Sequence, residues 1–569
     1  MKTFVVTLGL LGTVLAATSA AQTPTVGGLE NNYSFVVPGL PNYGIAQGSI
    51  FDIFGSNLAN SSTGLQATPV TPLSGVSVAV TVGGATKQAL LYYVTPGQIA
   101  AVLPSSTPVG TGTLTVTNNG KTSATAPIVV VAAAFGILTL NGAGSGPAAA
   151  FDSNGSYLGA SNATNPGQTI VLWGTGAGPI ANDLQQAAPS PPLLQVYIGG
   201  VLASVAYQGR SQFTGLDQIN VAIPAGVSGC YVSLVVQAGV YVSNFSSLPI
   251  ATSGHTCSDP ATTPGGLTTT QLQSLAGKTT ISVGSVGMFK TTSTTPAVVV
   301  QGITVSPAST LDIEDGFAGF TKITLPQNYN SYISSATGTT ASIGSCTVFT
   351  LVEDTSTIPA TPSPFPGSIT YLNAGPVINI NGPVGKKTMP LSTTGGILSY
   401  SAQLGGNTGT STLPTFIPAT GGTFTFDNGS GGADVGAFTA SLSLTPVVWT
   451  NNTITTVNRA AGQSVTWTGG DANTYVSITG ESFVSSGTKF LIGEFTCTAP
   501  SAAHQFTIPG PVLLSIPASG SISAGGISIP EPGSLTVSSF GNSTSFSAPG
   551  IDLGYIYAYS GSGASVTYQ

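Results

Sequence analysis

GSIFDIFGSNLA, residues 48–59, and GQTIVLWGTGAG, residues 167–178, are one phrase written twice. Each is a run of β-branched and aromatic residues closed by glycines, the pattern of a strand entering a turn. Two more blocks follow in the same order. VSVAVTVGG (Val76–Gly84) is answered by LLQVYIGG (Leu193–Gly200), and GQIAAVLP (Gly97–Pro104) by DQINVAIP (Asp217–Pro224). Gly167 lies 119 residues after Gly48, and Pro224 lies 120 after Pro104. Three matched blocks at nearly one spacing make an internal repeat whose period is the size of one β-sandwich domain. The two units span residues 25–131 and 132–253.

Inside the units the alternation is that of half-buried strands. Val76, Val78, Val80 and Val82 alternate with Ser77, Ala79 and Thr81. Leu114 and Val116 alternate with threonines before Asn118-Asn119-Gly120, a hairpin turn signal. Helical periodicity is almost absent. The exception is Thr268-Thr269-Thr270-Gln271, a capping box that opens a short helix over Leu272 and Leu275 and is stopped by Gly277.

These phrases carry a family resemblance. GSIFDIFGSNLA, the Gly83-Gly84 strand end, TPGQIAAVLP, FDSNGSYLGASNATNPGQ, LWGTGAGP and LDQINVAIP resemble the Solibacter-type C-terminal domain family of secreted acidobacterial proteins. The resemblance runs from about Gly39 to Ile250. Each half is similar to IPT/TIG-type immunoglobulin-like domains, which implies a sandwich fold and brings no catalytic residues with it. Further on, FDNGSGGADVGAFTAS, TTVNRAAGQSVTWTGGD and FTCTAP resemble the C-terminal regions of other secreted acidobacterial proteins.

The second half begins with a shift to Thr, Pro and Gly (SDPATTPGGLTTT), read as a linker with a short helix over residues 254–295. Strand runs then resume, among them TPAVVVQGITV, GSITYLNAGPVINING and GQSVTWTGGDANTYVSITG. They are read as one β-domain over residues 296–444 and a C-terminal β-domain over 445–569. The fold class expected is all-β: tandem immunoglobulin-like sandwiches followed by further β-sandwich domains.

Composition narrows the function by exclusion. Only 5% of residues are charged, against roughly 25% in ordinary soluble domains. With 41% hydrophobic residues the chain has material for cores, so hydroxyls and amides must cover its surface. Eleven Lys and Arg in 569 residues exclude a nucleic-acid groove and a polybasic membrane contact, both of which need clustered cations. Residues 1–21 read as a signal peptide: Lys2, an apolar run from Phe4 to Leu15, then Ser19 and Ala21 before Gln22. That run is too short for a spanning helix, so no membrane span is expected after cleavage. Export, to the extracellular space or the periplasm, follows.

Four cysteines in an exported chain predict two disulfides. Of three connectivities, position along the chain favours Cys230–Cys257, flanking a hairpin, and Cys346–Cys497, stapling the last two domains together. A zinc site from Cys257, His255, Cys497 and His504 is the rival reading.

Candidate chemistry is sparse. His255 and His504 are the two histidines, and neither belongs to a nucleophile or metalloprotease motif. Asp312, Glu314 and Asp315 (LDIEDGF) are the one dense acidic cluster. Alternation puts Asp312 and Glu314 on one strand face, as a carboxylate pair for glycoside hydrolysis requires, and a solvated strand end is the simpler reading. Asp152–Ser156, and Asp427-Asn428 with Asp434, read either as turns or as calcium loops short of ligands. Tyr555, Tyr557 and Tyr559 alternate along a final strand, either as a stripe that stacks sugar rings or as core. Trp173, Trp449 and Trp467 sit in apolar strand contexts and look like core. Pro530-Glu531-Pro532 lacks the apolar span and basic tail of a sorting signal.

The sequence therefore predicts a secreted, non-catalytic structural or binding protein, adhesive in character. It needs no cofactor or metal, and its partners are extracellular polysaccharide or other surface proteins. The alternative is a secreted polysaccharide-active enzyme or carbohydrate-binding protein.

Overall fold

The alternating strands of the first unit close into two sheets. The computed structural model describes residues 22–258, 269–275, 277–295, 297–300, 303–324, 343–354, 368–524, 527–540 and 544–569. Residues 1–21, read above as a signal peptide, and Thr268 of the capping box lie outside the described residues. One sheet of the first sandwich orders Thr25–Asn31, Ile50–Ser56, Gln98–Val102 and Leu90–Val94. The other orders Ile45–Ala46, Ala126–Val131, Gly110–Asn118, Val76–Val82 and Ala85–Gln88. Phe51, Ile53, Val76, Val78, Val80, Leu114, Val116 and Ile128 meet between them. Their polar alternates face outward, as period-2 patterning requires.

The second unit repeats the order of eight of these strands, without a partner for Ile45–Ala46 and with a short extra strand, Ala150–Phe151, beside Thr169–Thr175. Gly136–Ile137, Thr169–Thr175, Asp217–Ala222 and Val205–Arg210 form one sheet. Ser246–Ile250, Gly229–Ala238, Leu194–Ile198 and Val201–Ala203 form the other. Equivalent pairings recur: Phe54 lies opposite Gln98, and Trp173 opposite Gln218. Two sandwiches of one topology, in tandem, are the immunoglobulin-like architecture.

The sandwiches are joined by buried polar bonds. Ile50 N–H donates to Thr175 Oγ1 at 2.8 Å, and that hydroxyl donates to Gly215 O at 2.6 Å. The hairpin turn after Arg210 lies on the outer face of the first sandwich, where Leu216 packs with Ile50, Ala100 and Val102. Gly215 is required there, because a Cβ would come within 2.6 Å of Ile50 and 2.9 Å of Val102.

The second half corrects the expected domain plan. The segment read as a linker holds the helix Thr269–Leu275 and then a 16-residue strand, Thr280–Thr295. That strand pairs antiparallel with Ser309–Thr324 and parallel with Leu553–Tyr568. It lies mid-sheet, and its small residues are the reason it resembles a linker. Gly284 lies where a Cβ would come within 2.8 Å of the Phe320 ring.

The boundary between residues 444 and 445 does not separate two domains either. One sheet of sixteen described strands runs from Cys346–Asp354 at one edge to Thr439–Leu444 at the other, taking strands from both sides of it. The last strand, Leu553–Tyr568, gives Ile556 and Ala558 to one core and Val566 and Tyr568 to another.

Cys230–Cys257 and Cys346–Cys497 are disulfide-bonded. Cys346 and Cys497 lie directly opposite one another on neighbouring strands, so this bond crosses a strand pair within one sheet instead of stapling two domains. Its loop of 151 residues restrains the unfolded chain by about 5 kcal/mol in the loop-entropy picture. Cys230 and Cys257 pack with Ala163, Leu275, Ile281, Leu553 and Tyr555, at the joint between the second sandwich and the large sheet.

Candidate functional site

The acidic cluster is the first place to look for chemistry, and the fold spends it on structure. Strand alternation sends Asp312 and Glu314 to one face and Asp315 to the other. Lys290, opposite Glu314 on the neighbouring strand, stands 2.7 Å from Glu314 Oε1 and 3.3 Å from Asp312 Oδ2. Glu314 is fully buried, and its Oε2 accepts the N–H groups of Phe416 at 2.6 Å and Ile417 at 2.9 Å. Lys290 also donates to Ile417 O at 3.2 Å. A Cβ on Gly405 would come within 2.5 Å of Glu314 Oε2, so the backbone closes over the carboxylate. Glycoside hydrolysis needs two carboxyl groups flanking a sugar, and Glu314 has no space for one. Its work is to clamp the segment around Phe416 onto the sheet.

The tyrosine stripe divides. Tyr555 is buried in the cluster around Cys230–Cys257, which corrects its reading as a sugar-stacking residue. Its side chain fills the joint between the second sandwich and the large sheet. Tyr557 and Tyr559 are half-buried and pack on neighbouring rings. Phe317 meets Tyr557 edge-on at 5.4 Å, and Phe289 stacks on Tyr559 at 5.1 Å with planes 5° apart. Burial pushes the Tyr559 hydroxyl up to about 12, with Tyr557 and Asp315 adding to it. These rings cover one another, and none of Phe289, Phe317, Tyr557 and Tyr559 is exposed, the geometry of a self-covering aromatic layer.

The loop carboxylates make turns. Asp152 Oδ1 accepts the N–H groups of Asn154 at 2.8 Å and Ser156 at 2.9 Å. Asp427 Oδ1 accepts from Asn379 and Gly429, and Asp434 Oδ2 from Asn373 N–H. Among the described residues no three His, Cys, Asp or Glu converge as metal ligands.

The surface that sequence reading missed lies on the second sandwich. Trp173 is half-buried and stands on the outer face of the strand Thr169–Thr175, whose Ile170 and Leu172 point into the core. It packs from there against the cluster of Ile50, Tyr92, Ala100, Val102 and Leu216 at the joint, so its core contacts lie between the sandwiches and not inside its own. Phe151 pairs opposite Val171 on the adjoining strand and brings its ring 5.7 Å from Trp173. The Asp152–Ser156 turn folds Tyr157 back onto Phe151, at 4.2 Å. On the other side Phe213, in the turn after Arg210, lies 5.9 Å from Trp173. Tyr157 is 58% exposed and Phe213 50%. Four rings thus make a chain of successive contacts, each tilted from the next by 37° to 48°.

Beside the row, Gln218 lies opposite Trp173 and Asn220 opposite Val171. Gln218 Nε2 donates to Asn220 Oδ1 at 2.7 Å. Both amides are half-buried on the same outward face. The charged groups beneath them, Arg210 and Asp217, are sealed from solvent and paired at 3.0 Å.

The first sandwich carries no second copy of this site. Its Phe54 and Gln98 match Trp173 and Gln218, but Ala100 stands where Asn220 does. Ala100 is buried in the cluster with Leu216 of the second sandwich.

No family model and no curated protein matches the chain. Similar solved structures include the plexin A4 full extracellular region, at 13% identity and a TM-score of 0.16. That match covers 39% of this chain, which spans only 18% of the plexin chain. The Bacteroides ovatus mixed-linkage glucan utilization locus protein SGBP-B, in complex with a mixed-linkage heptasaccharide, is 13% identical with a TM-score of 0.21, over 56% of this chain and 72% of that one. Domains 5–6 of the S-layer protein SbsC are 13% identical with a TM-score of 0.15, over 40% of this chain and 98% of that one.

Proposed function

We propose that this chain is an exported, non-catalytic binding protein that holds a partner outside the cell through the aromatic face of its second sandwich. The observation that carries the reading is the line of rings from Tyr157 through Phe151 and Trp173 to Phe213, with Gln218 and Asn220 alongside. A face of rings and amides on a packed sheet is built for contact, because binding freezes little of it. The clamped state of Glu314 supports the absence of catalysis, since general acid–base work needs a carboxyl group within reach of substrate. Two disulfides support an oxidising, exported location. The tandem sandwiches of one topology agree with the proposal that residues 39–250 belong to the Solibacter-type family.

The test is binding of the purified mature chain to extracellular matrix material and whole cells at low and high salt. Few ions stand on the surface to be screened, so retention at 0.1 M and about 1 M salt should be alike, and Asp312→Ala should leave it unchanged. Turnover of a polysaccharide by the purified chain, abolished by Asp312→Ala or Glu314→Ala, would replace this reading with that of an enzyme.

A further inference from the structure

We infer that the partner of the aromatic face is a linear, uncharged polysaccharide laid along the row from Tyr157 to Phe213. This rests on the binding-protein reading above and names the ligand for that surface.

Three features of the face select the ligand. An aromatic ring carries a negative face, and the C–H side of a pyranose ring presents weakly positive hydrogens over a flat apolar area. Four rings in succession, from Tyr157 through Phe151 and Trp173 to Phe213, therefore suit a chain of sugars better than a single compact molecule. Phe151 and Trp173 are half-buried, and the row ends in a 58% exposed Tyr157 and a 50% exposed Phe213, so its most accessible rings are the outer two.

The second feature is the pair of side-chain amides. Each of Gln218 and Asn220 has both a donor group and an acceptor oxygen. Their mutual bond uses Gln218 Nε2 and Asn220 Oδ1, so Gln218 Oε1 and Asn220 Nδ2 are the acceptor and donor for sugar hydroxyls. Hydroxyls donate and accept equally, which is what a mixed pair recognises. Carboxylates or sulfates on the polymer would call for Arg or Lys instead.

The third is charge. Arg210 and Asp217 neutralise one another below the surface, and the ionisable group beside Phe151 is the acidic Asp152, held in its turn by two backbone N–H groups and unfavourable to an anionic polymer. An anionic polymer finds no exposed cation on Trp173, Val171, Gln218, Asn220 or the three flanking rings. An apolar protein patch would strand the two amides without partners, at a cost in desolvation.

The row is also preorganised. Trp173 sits on a strand paired on both sides. Phe213 is held by its N–H donating to Ser211 Oγ at 3.1 Å, and the next residue is fixed by Tyr92 Oη donating to Thr214 O at 2.5 Å.

The experiment is affinity electrophoresis of the full mature chain in native gels that contain hydroxyethylcellulose, xyloglucan, galactomannan or dextran, with polygalacturonate as the anionic probe. Retardation by at least one neutral polymer and none by polygalacturonate is expected. Tyr157→Ala and Phe213→Ala, whose rings are exposed and leave the core untouched, should each weaken binding by roughly three- to tenfold. Asn220→Ala should weaken it too, and Tyr559→Ala should not.

Retardation by polygalacturonate alone would overturn the ligand class. Neutral-polymer binding that survives both ring variants, with melting temperatures unchanged, would overturn the site. If no polymer retards the chain but it still binds cells, the inference falls and the binding-protein reading stands. If it binds neither, both fall.

Discussion

Arg210 and Asp217 face one another across a single hairpin and form a 3.0 Å ion pair sealed from solvent, and this pair locks the two sandwiches together. Arg210 Nη2 crosses the joint to donate to Gly48 O at 2.8 Å. Asp217 Oδ2 accepts the N–H groups of Gly176 and Ala177, both at 2.8 Å. The first sandwich has Gly97 at the position of Asp217, so the lock is a feature the second copy acquired in place of symmetry. It works beside the bond from Tyr92 Oη to Thr214 O and the packing of Leu216 on Ile50, Ala100 and Val102, which hold the tip of the same hairpin to the first sandwich.

Asp217→Ala leaves a guanidinium buried without its partner. The expected loss is about 3–5 kcal/mol, the usual result of breaking one side of a buried pair. Replacing both residues together, Arg210→Met with Asp217→Leu, should recover most of that loss. Urea denaturation of the three proteins measures this. A double variant as unstable as Asp217→Ala would show that the backbone bonds of Asp217, and not the ion pair, carry the joint.

Glu314→Ala makes a parallel case with a different consequence. It leaves the buried N–H groups of Phe416 and Ile417 without an acceptor and Lys290 with only Asp312 and Ile417 O, at an expected cost of about 2–4 kcal/mol. Because the clamp lies in the large sheet, far along the chain from Trp173, polymer binding by the folded fraction should be unchanged. Denaturation midpoints read the first effect and affinity gels the second. Binding lost in step with Glu314 in a chain that still melts cooperatively would tie the acidic cluster to function.

Much of this was legible in the sequence, for physical reasons that also mark where it stopped. The repeat was readable because each strand buries one face, so Val76, Val78 and Val80 keep their period whatever surrounds them. Which core Trp173 joins was not legible, because parity separates two faces of a strand without saying what covers each: the ring packs on the cluster at the joint and not inside its own sandwich. The strand Thr280–Thr295 was hidden by its composition. A strand crowded by rings needs glycines, and Gly287 lies where a Cβ would come within 2.6 Å of Phe317 and 3.1 Å of Tyr557. The signal that could have found the lock was charge itself. In a chain with 5% charged residues, an Asp inside LDQINVAIP has to be paid for by a partner.

Glu30 gives a prediction in pH. It lies opposite Asp52 in the first sandwich, and burial, with Asp52 adding to it, pushes its carboxyl group up to about 7 from 4.5. The folded state then holds a proton that the unfolded state has lost between those values. Stability therefore falls as pH rises from 4.5 to 7, and the effect is complete above 7. The difference amounts to at most about 3 kcal/mol. Glu30→Gln should remove that part of the slope, matching the parent near pH 4 and exceeding it at pH 8. Asp52, also raised chiefly by burial, leaves a residual slope of the same sign. Urea midpoints at the two pH values decide it, and a variant less stable than the parent at pH 8 would mean that the Glu30 carboxylate is stabilising.

Tryptophan fluorescence tests the placement of the aromatic row independently of any ligand. The chain has three tryptophans. Trp449 and Trp467 are 2% and 1% exposed, inside the same core of the large sheet. Trp449 Nε1 donates to Asn451 and Trp467 Nε1 to Ser501 O, as buried indoles require. Only Trp173 lies on an outer face. Acrylamide, being neutral, should quench one component of the emission and leave the rest nearly untouched, and Trp173→Phe should abolish the quenchable component. A polymer that occupies the row must cover that indole, so adding it should protect the same component and shift its emission to the blue. Quenching that is unaltered in Trp173→Phe would place the accessible indole elsewhere. Polymer binding without protection would place the ligand on another surface, and the line of rings would then be only a sheet covering itself.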